Sequence, residues 1–282
     1  MNTQNSPKSN MTPLAYEVLY KIYKYVSLAL AAITCVFGAL SFYTCGEECE
    51  NYLPASPLTT VFYVILVIDV IFAITAMLLF KKAGRILSEN KIAKYFSLIP
   101  AAAATYCLVT LSTSTERGVL DIFFMICAAL TLLFCVSRIA KLPDVLALCA
   151  GYGQVIFGIL LVARIYLDSS IEMNSPAKLL LQFAAIAVSF STLSDIRLLL
   201  GKGNAIQFVS AKAFVAFLCP VAFIATTALQ KARDGTDKEY LCFALFLLAY
   251  AVCEIVKLFT ANADCCGNCY EDLDDHYVSD EK

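Results

Sequence analysis

Eight long apolar stretches constrain this chain more than any other feature of its sequence. Each is about 20 residues long, the length that a helix needs to cross about 30 Å of hydrocarbon. These stretches lie at 26–44, 58–80, 96–115, 118–139, 145–167, 177–200, 207–229 and 239–260. They are longer than barrel strands and lack polar alternation, and backbone inside lipid must satisfy its own hydrogen bonds. The sequence therefore predicts an all-α, polytopic transmembrane helical bundle.

The composition supports the same class. Of the 282 residues, 60% are hydrophobic and only 16% are charged, whereas a soluble domain is about half apolar and a quarter charged. The net charge of −2 provides no basic field that would attract nucleic acid. We therefore expect the lipid bilayer to be the main partner and expect no nucleic acid. A homo-oligomer or another membrane partner stays open.

The distribution of basic residues predicts the orientation of the chain. Most of the 21 Lys and Arg residues fall on the side of the N-terminus, while the first opposite loop carries only acids, Glu47, Glu48 and Glu50. Because cytoplasmic loops retain basic residues, both termini are predicted to lie in the cytoplasm and the protein in the cell membrane. The first apolar stretch exceeds a typical signal-peptide core, so we expect a permanent span.

Three regions follow from these spans. We predict a cytoplasmic N-terminal segment over 1–25, a transmembrane domain over 26–260, and an acidic, Cys-containing cytoplasmic tail over 261–282.

Two returning helices end in a similar pattern. Asp195 precedes Arg197 near the end of one stretch, and Glu254 precedes Lys257 about 59 positions later. This spacing suggests four helical hairpins built as repeats. The alternative is that regular loops alone create the period, since basic residues close cytoplasmic helix ends in any case.

The segment Met173-Asn-Ser-Pro-Ala-Lys-Leu-Leu-Leu-Gln182, with Asp195 and Arg197 after it, resembles uncharacterised multi-pass membrane proteins of clostridial-type bacteria. That resemblance covers one hairpin and implies a bacterial membrane location without an assigned activity. In physical terms, Ser175 suits a helix N-cap and Pro176 suits the first turn.

Asp69 is the first polar residue to consider, because it lies midway along the second apolar stretch. A carboxylate at this depth costs about 2.5 to 3.5 kcal/mol, so it should face the bundle interior, find a partner or carry a proton. Two interpretations stay open. Asp69 is either a proton-relay or cation site, or a hydrogen-bonded acid that ties helices together.

Other polar residues within the apolar stretches suit structural roles. Asp121 lies near a helix start, where a cap or dipole role is expected. Asp195 and Arg197 point to different faces, whereas Glu254 and Lys257 are three apart and can pair locally. We interpret these four as interface anchors. The neutral candidates for bonding between helices are Gln154 and Gln182.

Two prolines fall within predicted helices. Pro100 and Pro220 each remove a backbone donor and are expected to kink their helices, as in the discontinuous helices of transporters.

The cysteines outside the apolar stretches form two groups. Cys45 and Cys49 share the first loop, where a disulfide, a cation site with the neighbouring glutamates, or free thiols stay open. In the tail, three thiols accompany the only His of the chain, at Cys265, Cys266, Cys269 and His276. Three Cys plus one His can satisfy zinc, but this spacing matches no known finger, so a solvated acidic tail is the alternative.

Motifs of aqueous enzymes are missing from the sequence. It has no phosphate-cradling Gly-Lys motif and no HExxH pair, so enzyme activity stays uncertain and is disfavoured, and no cofactor is expected. The leading interpretation is a transporter or channel-like carrier of unknown substrate. The alternatives are a non-catalytic membrane assembly or sensor component and an intramembrane lipid-modifying enzyme. A carrier predicts a water-accessible cavity reaching Asp69, whereas an assembly component predicts tight packing.

Overall fold

The described part of the chain is built from helices. A computed structural model describes residues 13–45, 56–79, 91–113, 119–140, 142–168, 175–200, 205–232 and 238–260, and these ranges contain no strand. The helices are α1 (Pro13–Cys45), α2 (Pro57–Leu79), α3 (Lys91–Phe96), α4 (Leu98–Ser112), α5 (Val119–Ala140), α6 (Asp144–Leu167), α7 (Pro176–Leu199), α8 (Ala205–Ala232) and α9 (Lys238–Thr260).

These helices agree with the predicted spans. In the described residues, seven helices are long and apolar enough to cross a membrane, counting α3 and α4 as one, and α5 contributes a shorter apolar stretch, Asp121–Ser137. The all-α polytopic bundle is therefore confirmed, and the chain is a multi-pass membrane protein.

The largest difference in boundaries is at the first helix, which begins at Pro13 rather than at residue 26. Tyr20 and Tyr23 are buried with Phe208 and Leu258, and the Tyr23 ring stacks on Phe72 with centroids 4.5 Å apart. Hydropathy alone misses this extension because tyrosine is amphipathic, and its burial depends on neighbouring helices.

A break divides the third span into α3 and α4 at Ser97. Pro100 has no N–H to bond the carbonyl of Phe96, which frees the backbone at this point. The hydroxyl of Ser97 lies 2.6 Å from the carbonyl oxygen of Lys94 and 2.9 Å from that of Cys135 on α5. The regular helix is therefore interrupted one turn before Pro100, and α5 helps to hold this point, while the Ser97 backbone keeps helical dihedral angles. The kink at Pro100 stays a prediction.

The helices form a ring with one hairpin outside it. Contacts run in order from α4 through α5, α6, α7 and α8 to α9, which closes against α4, while α1 and α2 pack against each other and against α8. Phenylalanine rings fill the ring interior: Phe124 lies 4.7 Å from Phe157 and 5.4 Å from Phe243, centroid to centroid. The partners in each sequential hairpin contact each other, but the first hairpin is peripheral, so the repeat stays a prediction.

Glycines permit the close approach of α6 to its neighbours. A Cβ added at Gly153 would lie 2.5 Å from Cβ of Leu130 on α5, and one at Gly158 would lie 3.2 Å from the carbonyl oxygen of Ala185 on α7. Small residues at these positions bring helix backbones together, which is how membrane helices gain packing energy.

Candidate functional site

Four charged side chains from three helices meet inside the bundle. We call Asp195 of α7, Lys212 of α8, and Glu254 and Lys257 of α9 the charged quartet. Asp195, Lys212 and Glu254 are 0% exposed and Lys257 is 5% exposed. Charged side chains this deeply enclosed are rare in membrane helices and mark functional sites by default.

Each lysine of the charged quartet contacts both acids. The ammonium of Lys212 lies 2.5 Å from Oδ1 of Asp195 and also contacts Glu254. The ammonium of Lys257 lies 2.6 Å from Oδ2 of Asp195 and 2.5 Å from Oε1 of Glu254. The four groups therefore form a closed ring of alternating charge.

Ser191 extends the ring. Lys212 donates to Oγ of Ser191 at 2.9 Å, and Ser191 donates to Oε2 of Glu254 at 2.6 Å. All three N–H donors of Lys212 therefore have acceptors. Satisfying every donor is what allows a buried ion cluster to offset its desolvation cost.

The charged quartet lies near one end of the bundle because α8 runs antiparallel to α7 and α9. α7 and α9 finish at the end where α8 begins, so residues about one to two turns inside each helix reach the same level. Glu254 and Lys257 are on one face of α9 since they are three residues apart. We call this the quartet end.

Aromatic side chains pack against the charged quartet. The ring centroid of Phe208 lies 4.9 Å from Nζ of Lys212, and that of Tyr250 lies 5.8 Å from Nζ of Lys257. The Tyr250 hydroxyl lies 3.1 Å from that of Thr192. Low-polarity walls strengthen the ion pairs inside them.

A small cavity lies beside Lys257 at the break between α3 and α4. Its lining includes Ser97, Pro100, Tyr250 and Cys253. The space is enough for about one water molecule. The helix break thus adjoins the charged quartet.

The opposite end of the bundle carries a second ion network, which we call the Arg164 trio. Arg164 of α6 contacts Asp121 of α5 and lies 2.7 Å from Oε2 of Glu239 on α9. All three side chains are 23–28% exposed. Near it, the hydroxyl of Tyr240 donates to Asp168 at 2.6 Å, so this network fastens α5, α6 and α9 at a partly exposed surface.

Asp69 lies away from both networks. It is 1% exposed and one carboxylate oxygen contacts the hydroxyl of Thr34 on α1, while its Oδ1 has no hydrogen-bond partner. Within the described residues, no lysine or arginine pairs with it. Asp69 is therefore enclosed where α1 packs against α2, and it does not line the cavity beside Lys257.

The other predicted polar residues differ in burial and in their partners. Asp195, Glu254 and Lys257 were expected to be interface anchors, but neighbouring helices enclose all three. Arg197 is exposed and faces away from Asp195, as predicted. The local pairing of Glu254 with Lys257 is confirmed. Asp121 lies in the first turn of α5, where a dipole role was expected, and also pairs across to α6.

The neutral candidates have no common partner. Gln154 is 1% exposed and both of its amide atoms lack a hydrogen bond, whereas Gln182 is half-buried on α7. Ser175 does precede α7 with Pro176 at its start, but its hydroxyl makes no capping bond.

Sequence reasoning missed three charged residues, Lys212, Arg164 and Glu239. The distribution of basic residues was used only to predict orientation, so Lys212 and Arg164 were not considered as partners of acids. One signal was present: Lys212 lies inside the predicted stretch 207–229, and a buried lysine needs an acid from another helix at the same level.

Pro220 and the described cysteines do not form a functional site. Helix α8 runs without interruption through Pro220. The described thiols within helices form no disulfide, and most are buried. The Cys45 side chain, Cys49, and the tail candidates Cys265, Cys266, Cys269 and His276 lie outside the described residues. In the described part, no group of three or more His, Cys, Asp or Glu residues is arranged to hold a metal ion.

Comparison with known proteins adds no relative. No family model matches the chain, and no curated protein or solved structure gives a significant match. The resemblance to clostridial-type membrane proteins therefore stays a prediction.

Proposed function

We propose that this protein is a membrane carrier in which proton binding at the charged quartet is coupled to a change between closed and open arrangements of α3, α4, α7, α8 and α9. One observation carries the proposal. Four ionisable groups on three helices are enclosed with balanced charge in a membrane-spanning bundle. A proton added to Asp195 leaves a surplus positive charge in a low-polarity interior, which favours opening toward water.

The neighbouring helix break supports this mechanism. The cavity beside Lys257 reaches the interruption at Ser97 and Pro100, and interrupted helices form the substrate and ion sites of many transporters. When Asp195 is protonated, it no longer attracts Lys212 and Lys257, so α7 is released from α8 and α9.

The orientation of the chain is a part of the proposal. With the N-terminus in the cytoplasm, as the basic residues favour, the quartet end faces the cytoplasm and the Arg164 trio faces outside. A carrier in this orientation would exchange protons with the cytoplasm through the quartet end.

The test measures whether water reaches the charged quartet. Cys253 lines the cavity beside Lys257 and is 1% exposed. In a variant that keeps only this cysteine, we expect a membrane-impermeant maleimide to label it faster at acidic than at neutral pH, after correction for thiolate content. Asp195→Asn, which mimics the protonated acid, should give fast labelling at both pH values.

Two controls make this test specific. A variant that keeps only Cys219, which is 0% exposed in α8, should remain unlabelled. Asp121→Asn at the other end should leave the pH profile of Cys253 unchanged. If folded protein shows no labelling of Cys253 at any pH, with or without Asp195→Asn, the charged quartet is a static clamp and the carrier proposal fails.

A second candidate is a non-catalytic assembly component, and one observation favours it. Asp69 is 1% exposed and contacts the Thr34 hydroxyl of the neighbouring helix, which agrees with the tight packing expected of such a protein. In that case the charged quartet only fixes the orientation of three helices. The labelling result for Cys253 separates the two candidates.

A further inference from the structure

A cleft between α6, α7 and α8 opens on the outside of the bundle near the quartet end. Its lining includes Tyr152, Phe190, Leu193, Arg197 and Gln207. The cleft has a volume of about 550 Å³ when its open side is counted. It is separate from the cavity beside Lys257, since the two share no lining residue.

The polar and apolar parts of this cleft are arranged by depth. Arg197 and Gln207 lie close to the end of α7 and the start of α8, whereas Phe190 and Tyr152 lie about two turns deeper along α7 and α6. The Tyr152 side chain is 51% exposed and that of Leu193 is 39% exposed. The surface is therefore polar where the membrane meets water and apolar deeper in the hydrocarbon, which is the order of groups in a phospholipid.

Arg197 supplies the charge that selects among lipids. Its guanidinium donates to Oε1 of Gln207 on α8, which holds the group at the mouth of the cleft. Among the described residues, Arg197 pairs with no carboxylate. A guanidinium that is fixed in place and not neutralised binds phosphate oxygens with two parallel hydrogen bonds.

We propose that this cleft binds an anionic phospholipid, with the phosphate at Arg197 and one acyl chain along Leu193, Phe190 and Tyr152. The charge complementarity favours an anionic over a zwitterionic lipid, because a net negative headgroup gains attraction to a single unneutralised arginine. The site does not depend on the proposed carrier function.

The absence of tryptophan provides a direct experiment. Tyr152→Trp creates a single fluorescent reporter inside the cleft, and Tyr106→Trp on α4, at a side chain 45% exposed, creates one outside it. Each full-length variant is placed in phosphatidylcholine vesicles containing a small fraction of brominated phosphatidylglycerol, or of brominated phosphatidylcholine. Bromine quenches a tryptophan only when the lipid is adjacent.

We expect brominated phosphatidylglycerol to quench Tyr152→Trp as though it were enriched about fivefold near the cleft, the factor expected for one basic side chain. Brominated phosphatidylcholine should quench in proportion to its fraction. Adding Arg197→Gln should remove the enrichment, and adding Arg197→Lys should restore part of it, since lysine keeps the charge but not the planar donor pair. Tyr106→Trp should show little preference.

Two results would overturn the proposal. Quenching of Tyr152→Trp in proportion to bulk lipid would show an ordinary boundary lipid without selection. An Arg197→Gln variant that leaves the enrichment unchanged but shifts the protein between oligomeric states would show that the cleft is an interface between copies of the chain.

Discussion

The two ends of the bundle stabilise their charged side chains in different ways. At the quartet end, two acids and two lysines are 0–5% exposed and satisfy one another. At the other end, Arg164 holds two acids that remain 23–28% exposed, so water also stabilises these charges. Enclosed charges must be met by opposite charges, whereas partly exposed charges are also stabilised by water.

This difference predicts different responses to the loss of one charge. Removing a member of the charged quartet leaves an uncompensated charge in the interior. Removing Arg164 leaves acids that water can reach.

The largest effect is expected for Lys212→Met. This variant leaves Asp195 and Glu254 with one lysine between them, and an unpaired buried charge costs about 3 to 5 kcal/mol. Thermal unfolding of detergent-purified protein, followed by size-exclusion chromatography, should show a strongly lowered midpoint. Arg164→Met is the matched control and should lose far less. Equal losses at the two ends would show that burial does not distinguish them.

The next effect tests whether the charged quartet acts as a unit. Adding Asp195→Asn to Lys212→Met restores charge balance and leaves Glu254 paired with Lys257. The double variant should be more stable than the sum of the two single changes predicts, by about 0.5 to 3 kcal/mol of coupling. A complete set of four proteins measured by the same unfolding assay gives this coupling. Simple additivity would contradict a closed ring.

A smaller effect is expected for Arg164→Gln, about 1 kcal/mol or less for each partly exposed pair. Raising the salt concentration from about 0.1 M to about 1 M should reduce this effect, because ions screen exposed charges. The cost of Lys212→Met should change little over the same range. If both costs fall equally with salt, water and ions reach the charged quartet as easily as the Arg164 trio.

The smallest effect is expected for Asp69→Asn. Asp69 has no basic partner in the described residues, and asparagine keeps the shape and the contact with Thr34, so the unfolding midpoint should change by about 1 kcal/mol or less. Thr34→Val is the companion variant and should cost about 1 to 3 kcal/mol by leaving Asp69 without its hydroxyl partner. A severe loss with Asp69→Asn would show that the negative charge itself is required.

The sequence was a good guide to helix positions and a poor guide to side-chain partners. Helix α2 was predicted at 58–80 and runs Pro57–Leu79, since an uninterrupted apolar stretch has few alternatives in lipid. The sequence analysis interpreted Asp195 and Glu254 as interface anchors. It did not consider Lys212 as their partner, because it treated each helix separately.

For Asp69, the sequence predicted the burial of the side chain but not its partner. Its position within an apolar stretch predicted correctly that it faces the interior, since exposure to lipid would be costly. Its actual partner, Thr34, lies on a different helix, and that contact depends on how α1 and α2 are rotated against each other.

The sequence by itself determined that this chain forms about eight membrane-spanning helices, and nearly where each one lies, because the thickness of hydrocarbon and the need to bond every backbone amide act on each segment separately. Only the tertiary structure decided that Asp195, Lys212, Glu254 and Lys257 form one site. Residues far apart in sequence meet only when the rotation, depth and neighbours of three helices are fixed together, and no single segment carries that information.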